Sequence, residues 1–171
     1  MTRHHFNLKS KLDRAAGSIH DPALELKVVG WQESVGLPDF SIDRIVAKLD
    51  SGAAHSVLHV DHPLIFRRGR ANFVRFELTL ENDSADTAWV YEAPVVGMRR
   101  MQSSSGHISI RPIIATVVYL AGYRWAIDLS LTDRSKMQFP LLLGRSALAG
   151  RCLVDSGRAH LTSVQSAYRT S

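Results

Sequence analysis

The chain has 171 residues, of which 45% are apolar, 8% aromatic and 22% charged. That length suffices for one globular domain with its own core and is too short for two comfortable ones, and no apolar run reaches the roughly 18 residues of a membrane-spanning helix. The formal charge of +5 admits a polyanionic partner. Outside Arg67-Arg68-Gly69-Arg70 and Arg99-Arg100, however, the basic residues are scattered and lack an aromatic-rich signature, so no nucleic acid and no membrane is the expected partner.

Residues 1–25 are polar, without periodicity and without the apolar stretch of a secretory signal, and read as a flexible arm ahead of a domain at 26–162. Leu26 to Trp31 is a short β-rich run closed by a glycine, and Gly36-Leu37-Pro38-Asp39 is a turn signal. Ile42 to Leu49 is predicted as a strand leading into Asp50, and His55 to Val60 as the strand after it. Asn72 to Leu80 alternates apolar and polar with a period of two, the pattern of a half-buried strand. After the acidic turn Glu81 to Thr87, Trp89 to Met98 and Ile108 to Leu120 are predicted to flank a loop at 99–107 as a long hairpin. Strands continue from Tyr119 to Leu131 around Ala121-Gly122, a short helix is expected at Ser146 to Gly150, and Leu153 to Leu161 reads as a last hairpin before a polar tail at 163–171. The lone cysteine, Cys152, excludes an internal disulfide and precedes Leu153 and Val154, so it reads as a core residue rather than a nucleophile, in a cytoplasmic protein. Short, regularly spaced strands with little helix predict a mostly-β closed barrel; no internal repeat is visible.

The chemistry is concentrated in Ala47-Lys48-Leu49-Asp50-Ser51-Gly52-Ala53-Ala54. An apolar run that delivers an aspartate, a small hydroxyl residue and a glycine into a tight turn is how an aspartic peptidase presents its carboxylate. About ninety residues later comes Pro140-Leu141-Leu142-Leu143-Gly144-Arg145-Ser146-Ala147-Leu148, an apolar strand, Gly-Arg and a helix start. The aspartic mechanism needs two carboxylates sharing one proton, one acting as base on water while the other polarises the scissile carbonyl. The second near match, Asp155-Ser156-Gly157, lacks a following alanine and strand and reads as a turn. One catalytic carboxylate per chain then requires a C2 homodimer, with Asp50 facing Asp50. Gly52 permits close approach of the partner loop, the Ser51 hydroxyl can bond across the dimer, and Ala53 is small enough for a crowded dyad.

These segments resemble the retropepsin fold, and the chain resembles one bacterial family more closely. Val29-Gly30-Trp31, the Asp50 segment, Glu92-Ala93-Pro94-Val95-Val96, Ser103-Ser104-Ser105-Gly106-His107, Arg111-Pro112-Ile113-Ile114 and Leu142 to Arg151 together are similar to the RimK-associated retropepsin-like proteins, often labelled ATP-dependent zinc proteases. The resemblance implies a closed retropepsin-like barrel with one short C-terminal helix and catalytic residues Asp50, Ser51 and Gly52. It further implies a flap at Ser103 to His107, with Ala53, Ser105, His107, Arg111 and Arg145 as substrate-binding residues, Arg145 being structural first. Some family members are linked to removing α-linked glutamates from a ribosomal protein, which implies an acidic peptide or glutamylated protein as substrate. The chain departs from the family in Ser51, where threonine is common, and in Ala54-His55, where Arg-Thr is common.

The zinc and ATP of the family label find no counterpart here. There is no Gly-x4-Gly-Lys-Ser/Thr loop and no His-Glu-x-x-His. His55, His59 and His62 follow the turn on a predicted strand, where positions 55 and 59 lie about 13 Å apart. No metal and no cofactor is expected. The alternative reading is a non-catalytic binding or regulatory module that keeps the retropepsin shell.

Overall fold

The computed structural model describes residues 3–5, 26–79, 88–102, 108–133 and 138–162. Ile45, Ala47 and Leu49 alternate with more exposed residues along strand β4 (Ile42–Asp50), so one face enters the core and the other carries Lys48 and Asp50. Its neighbours are β3 (Gln32–Leu37), antiparallel, and β12 (Leu141–Gly144), parallel. β12 pairs with β5 (Ser56–His59), β5 with β11 (Tyr123–Thr132), and β11 with β10 (Ile108–Leu120). β10 returns to β3 through Tyr119 and Gly36, which closes a six-strand barrel. Leu58, Val118, Leu129, Leu141 and Leu143 fill its interior.

A second sheet, ordered β1-β8-β7-β6, comprises β1 (Arg3–His5), β6 (Asp61–Arg68), β7 (Ala71–Thr79) and β8 (Ala88–Pro94). Phe40, on the 3-10 turn Pro38–Phe40 after β3, packs edge-on against Phe76 and Tyr91 at 5.8 and 5.4 Å and joins this sheet to the barrel core. Glu92 is buried on the same sheet between Arg68 and Arg75, both at 2.7 Å. These two guanidiniums hold its carboxyl below the ordinary range against the opposing effect of burial. β2 (Lys27–Gly30) and β13 (Cys152–Asp155) form a separate parallel pair. Among the described residues β9 (Gly97–Gln102) pairs only with the first half of β10, at the edge of the sheet.

The sequence expectations hold for the mostly-β barrel and for the single short helix among the described residues, α1 (Arg145–Leu148). Others are corrected. The expected strand Trp89 to Met98 is broken at Val95-Val96, whose N–H groups donate to Asn72 and Ile113. Arg99 to Gln102 therefore belong to β9 and not to a loop. The expected hairpin at Leu153 to Leu161 is a single strand, β13, because its ladder runs to β2; beyond Gly157 the chain turns alongside residues 31–33, with Trp31 N–H on Arg158 and His160 N–H on Gln32. β3 and β6 went unpredicted: β3 buries a charged residue, Glu33, and β6 carries Pro63 and a left-handed His62 (φ 50°) that breaks the apolar rhythm. Within the expected N-terminal arm, residues 3–5 form β1 on β8. The polar tail and the acidic turn at 81–87 lie outside the described residues.

Candidate active site

Asp50 is the last residue of β4, opposite Gly144 at the end of β12. Its Oδ1 accepts the N–H groups of Gly52 at 2.9 Å and Ala53 at 3.2 Å, and its Oδ2 lies 3.2 Å from Lys48 Nζ. Partial burial pushes the carboxyl upward. The hydrogen bond and charge of Lys48 and the two backbone donors outweigh that push and hold Asp50 below the ordinary carboxylate range. The turn that follows is exposed at Ser51 and Gly52.

The β12–α1 junction braces this turn from behind. Gly144 lies flat against His55: a Cβ there would come within 2.5 to 2.8 Å of the His55 backbone, so a residue without a side chain is required. The buried Ser56 Oγ accepts the Gly144 N–H at 3.1 Å. Arg145 Nη1 donates to the carbonyls of Ser51 at 3.1 Å and Gly52 at 2.9 Å, while its backbone N–H bonds the Ala53 carbonyl at 2.8 Å. Ser146 N–H reaches Ala54, and Trp125 Nε1 fixes the other end of α1 through the Ala147 carbonyl at 2.9 Å. Through Nη1 and its backbone N–H, Arg145 thus contacts three carbonyls of the loop.

Asp50, Ser51, Gly52, Ala53 and Arg145 are therefore brought together in one structural unit. Arg111 stands apart from it on the β9–β10 hairpin and is buried, at 8% exposure. Ser105 and His107 lie outside the described residues. The second Asp-Ser-Gly segment forms the turn expected of it: Asp155 Oδ1 accepts the Gly157 N–H at 2.8 Å and Oδ2 the Arg158 Nε at 2.7 Å. His55 and His62 are exposed, and His59 Nε2 lies 3.7 Å from Asp61. Among the described residues no three His, Cys, Asp or Glu side chains gather as a metal site.

Sequence reasoning missed Lys48, Ser56 and Trp31, whose carbonyl accepts the Leu49 N–H at 2.8 Å. A period-two signal for Lys48 was present, since residues two apart on a strand share a face. Ser56 and Trp31 act across strand pairings that no local pattern reveals.

The six-strand barrel and the braced Asp-Ser-Gly turn at the end of β4 define a retropepsin-like domain. The chain belongs to the RimB-like family, described as retropepsin-like aspartic endopeptidase RimB, whose profile matches residues 28–165. It is also similar to proteins named probable alpha-L-glutamate ligase: 35% identical over 128 residues to that of Shewanella halifaxensis, and 37% over 134 residues to that of Parasynechococcus marenigrum. These matches take in 75% and 78% of this chain but 28% of each relative, so the chain corresponds to about a quarter of their length. The fold matches the crystal structure of a Legionella pneumophila protein of unknown function with a TM-score of 0.67 at 24% identity, covering 81% of this chain and all of the other.

Proposed function

We propose that the protein is a homodimeric aspartic peptidase in which Asp50 of each subunit contributes to one dyad. The observation that carries this reading is the Asp50 carboxylate itself, held on Oδ1 by two backbone N–H groups in an exposed turn that Gly144 and Arg145 brace. In the dimer, like charges at short range raise the pKa of one carboxyl, so the pair shares a proton. The unprotonated member takes a proton from water as the water oxygen adds to the scissile carbonyl, which the protonated member polarises. The tetrahedral intermediate then expels the amine, which leaves with a proton from the dyad. Ser51, Gly52 and Ala53 shape the turn; the β9–β10 hairpin serves as the cover over the substrate, with Ser105, His107 and Arg111 as its contacts.

The substrate class is an acidic peptide, with α-linked glutamate chains on a protein the leading candidate. Two observations support it: a net charge of +5, which concentrates polyanions, and the α-L-glutamate ligases named among the relatives. That those relatives carry the matching segment within a much longer protein favours a second reading, a non-catalytic module that binds such chains. Hydrolysis of an α-linked oligoglutamate by wild type and Asp50→Asn, followed by mass spectrometry from pH 4 to 8 with and without EDTA, separates the two. EDTA-resistant cleavage that disappears in the variant is the expected outcome. Binding without cleavage by either protein would leave the module reading standing.

A further inference from the structure

The β9–β10 hairpin contains three arginines and no acidic residue: Arg99 and Arg100 on β9, Arg111 on β10. Arg99 and Arg111 are direct cross-strand partners and share one face, whereas Arg100 lies opposite Ile110 on the other. Across the ladder the diagonal neighbours of Arg99 are Ser109 and Ile113, neither of them acidic. β9 is the outer strand of its sheet, so no further described strand brings a carboxylate alongside. Arg111 is buried and already engaged. Arg99 is half-buried, and its Nη1 is shielded from solvent yet has no hydrogen-bond partner.

A donor buried without a partner costs stability, and more so when it is charged. The group that meets the Arg99 donor is an anion with two acceptor oxygens, and a carboxylate meets a guanidinium fork in that way. We propose that Arg99, backed by Arg111, is a carboxylate-binding subsite that reads an acidic side chain of the bound peptide. This inference rests on the reading of the hairpin as the substrate cover and adds Arg99 to it as a specificity-determining residue. The exposed Ile108 and Ile110 occupy the opposite face with Arg100, so the hairpin separates a charge-reading side from an apolar one.

Binding is measured by calorimetry in the Asp50→Asn background, with α-linked tetraglutamate and its neutral analogue tetraglutamine as probes. Arg99→Met is expected to weaken tetraglutamate binding about tenfold or more and to leave tetraglutamine unaffected; Arg99→Lys retains part of the affinity, since an ammonium supplies charge without the fork. Arg100→Met removes the same charge from the other face and is expected to change binding less than about threefold. Equal losses for Arg99→Met and Arg100→Met, or no tetraglutamate binding by the parent, overturn the proposal. Because the readout is binding, a wild type that binds but never cleaves refutes the peptidase reading and leaves the subsite intact. Cleavage that is insensitive to Arg99→Met does the reverse.

Discussion

At the scale of single residues, the site depends on how one carboxylate is solvated. Asp50 is held below its ordinary range by Lys48 and two backbone N–H groups, against the upward push of partial burial. Replacing Lys48 by methionine removes the side-chain hydrogen bond and the cation together, so the carboxyl pKa rises. An active dyad holds one proton and loses it at high pH. The alkaline limb of the kcat/KM profile is therefore expected to move to higher pH in Lys48→Met; a limb that stays put or moves down shows that Lys48 does not tune the dyad. Asp50 itself was legible in the sequence because its motif is contiguous. Lys48 needed only the strand period, but that reading requires knowing that β4 continues unbroken to Asp50.

At the scale of elements, each Asp-Ser-Gly turn sits across from a glycine on a parallel strand: Asp50 from Gly144, and Asp155 from Gly30. In both places a Cβ on the glycine would strike the backbone just past the turn, that of His55 in one and Arg158 in the other. This local echo is invisible as a sequence repeat because the partner glycine lies about ninety residues downstream in one case and more than a hundred upstream in the other. Glu33 ties the second unit to the barrel. Fully buried, it accepts the N–H groups of Gly30, Leu161 and Thr162 and the Thr162 hydroxyl, all neutral donors, at 2.7 to 3.2 Å. Glu33→Ala strands those donors and is expected to lower stability by about 3 kcal/mol in urea unfolding. A change below about 1 kcal/mol would mean that the segment at 158–162 relaxes to solvent without it.

At the scale of the whole molecule, the proposed dyad, with one Asp50 from each chain, requires a dimer, and an exposed apolar surface is the place proposed for it. Val28 and Leu153 are register partners on the β2–β13 pair, exposed at 51% and 54%, and Leu26 and Leu161 are exposed in the flanking segments. Among the described residues this two-stranded sheet has no third strand, and such open edges invite pairing with another chain. Leu153→Asp is expected to shift the protein to monomer in analytical ultracentrifugation and to abolish hydrolysis while leaving the circular-dichroism spectrum of the folded chain unchanged. A dimer that persists in this variant places the interface elsewhere.

By itself the sequence determined the class of fold and the position of the Asp-Ser-Gly turn after β4. Alternating strands such as Ala71–Thr79 and the contiguous Asp50 motif are local patterns, set by side-chain periodicity and turn chemistry. It misplaced what depends on pairing between distant segments. The break at Val95-Val96 exists because their N–H groups are taken by Asn72 and Ile113, and β13 is a lone strand because its ladder partner is β2. The bracing of the turn by Gly144, Arg145 and Ser56 and the unmet donor on Arg99 were likewise decided only in three dimensions. Hydrogen bonds across a barrel and the burial of a charge are properties of register and packing, and no window of neighbouring residues contains them.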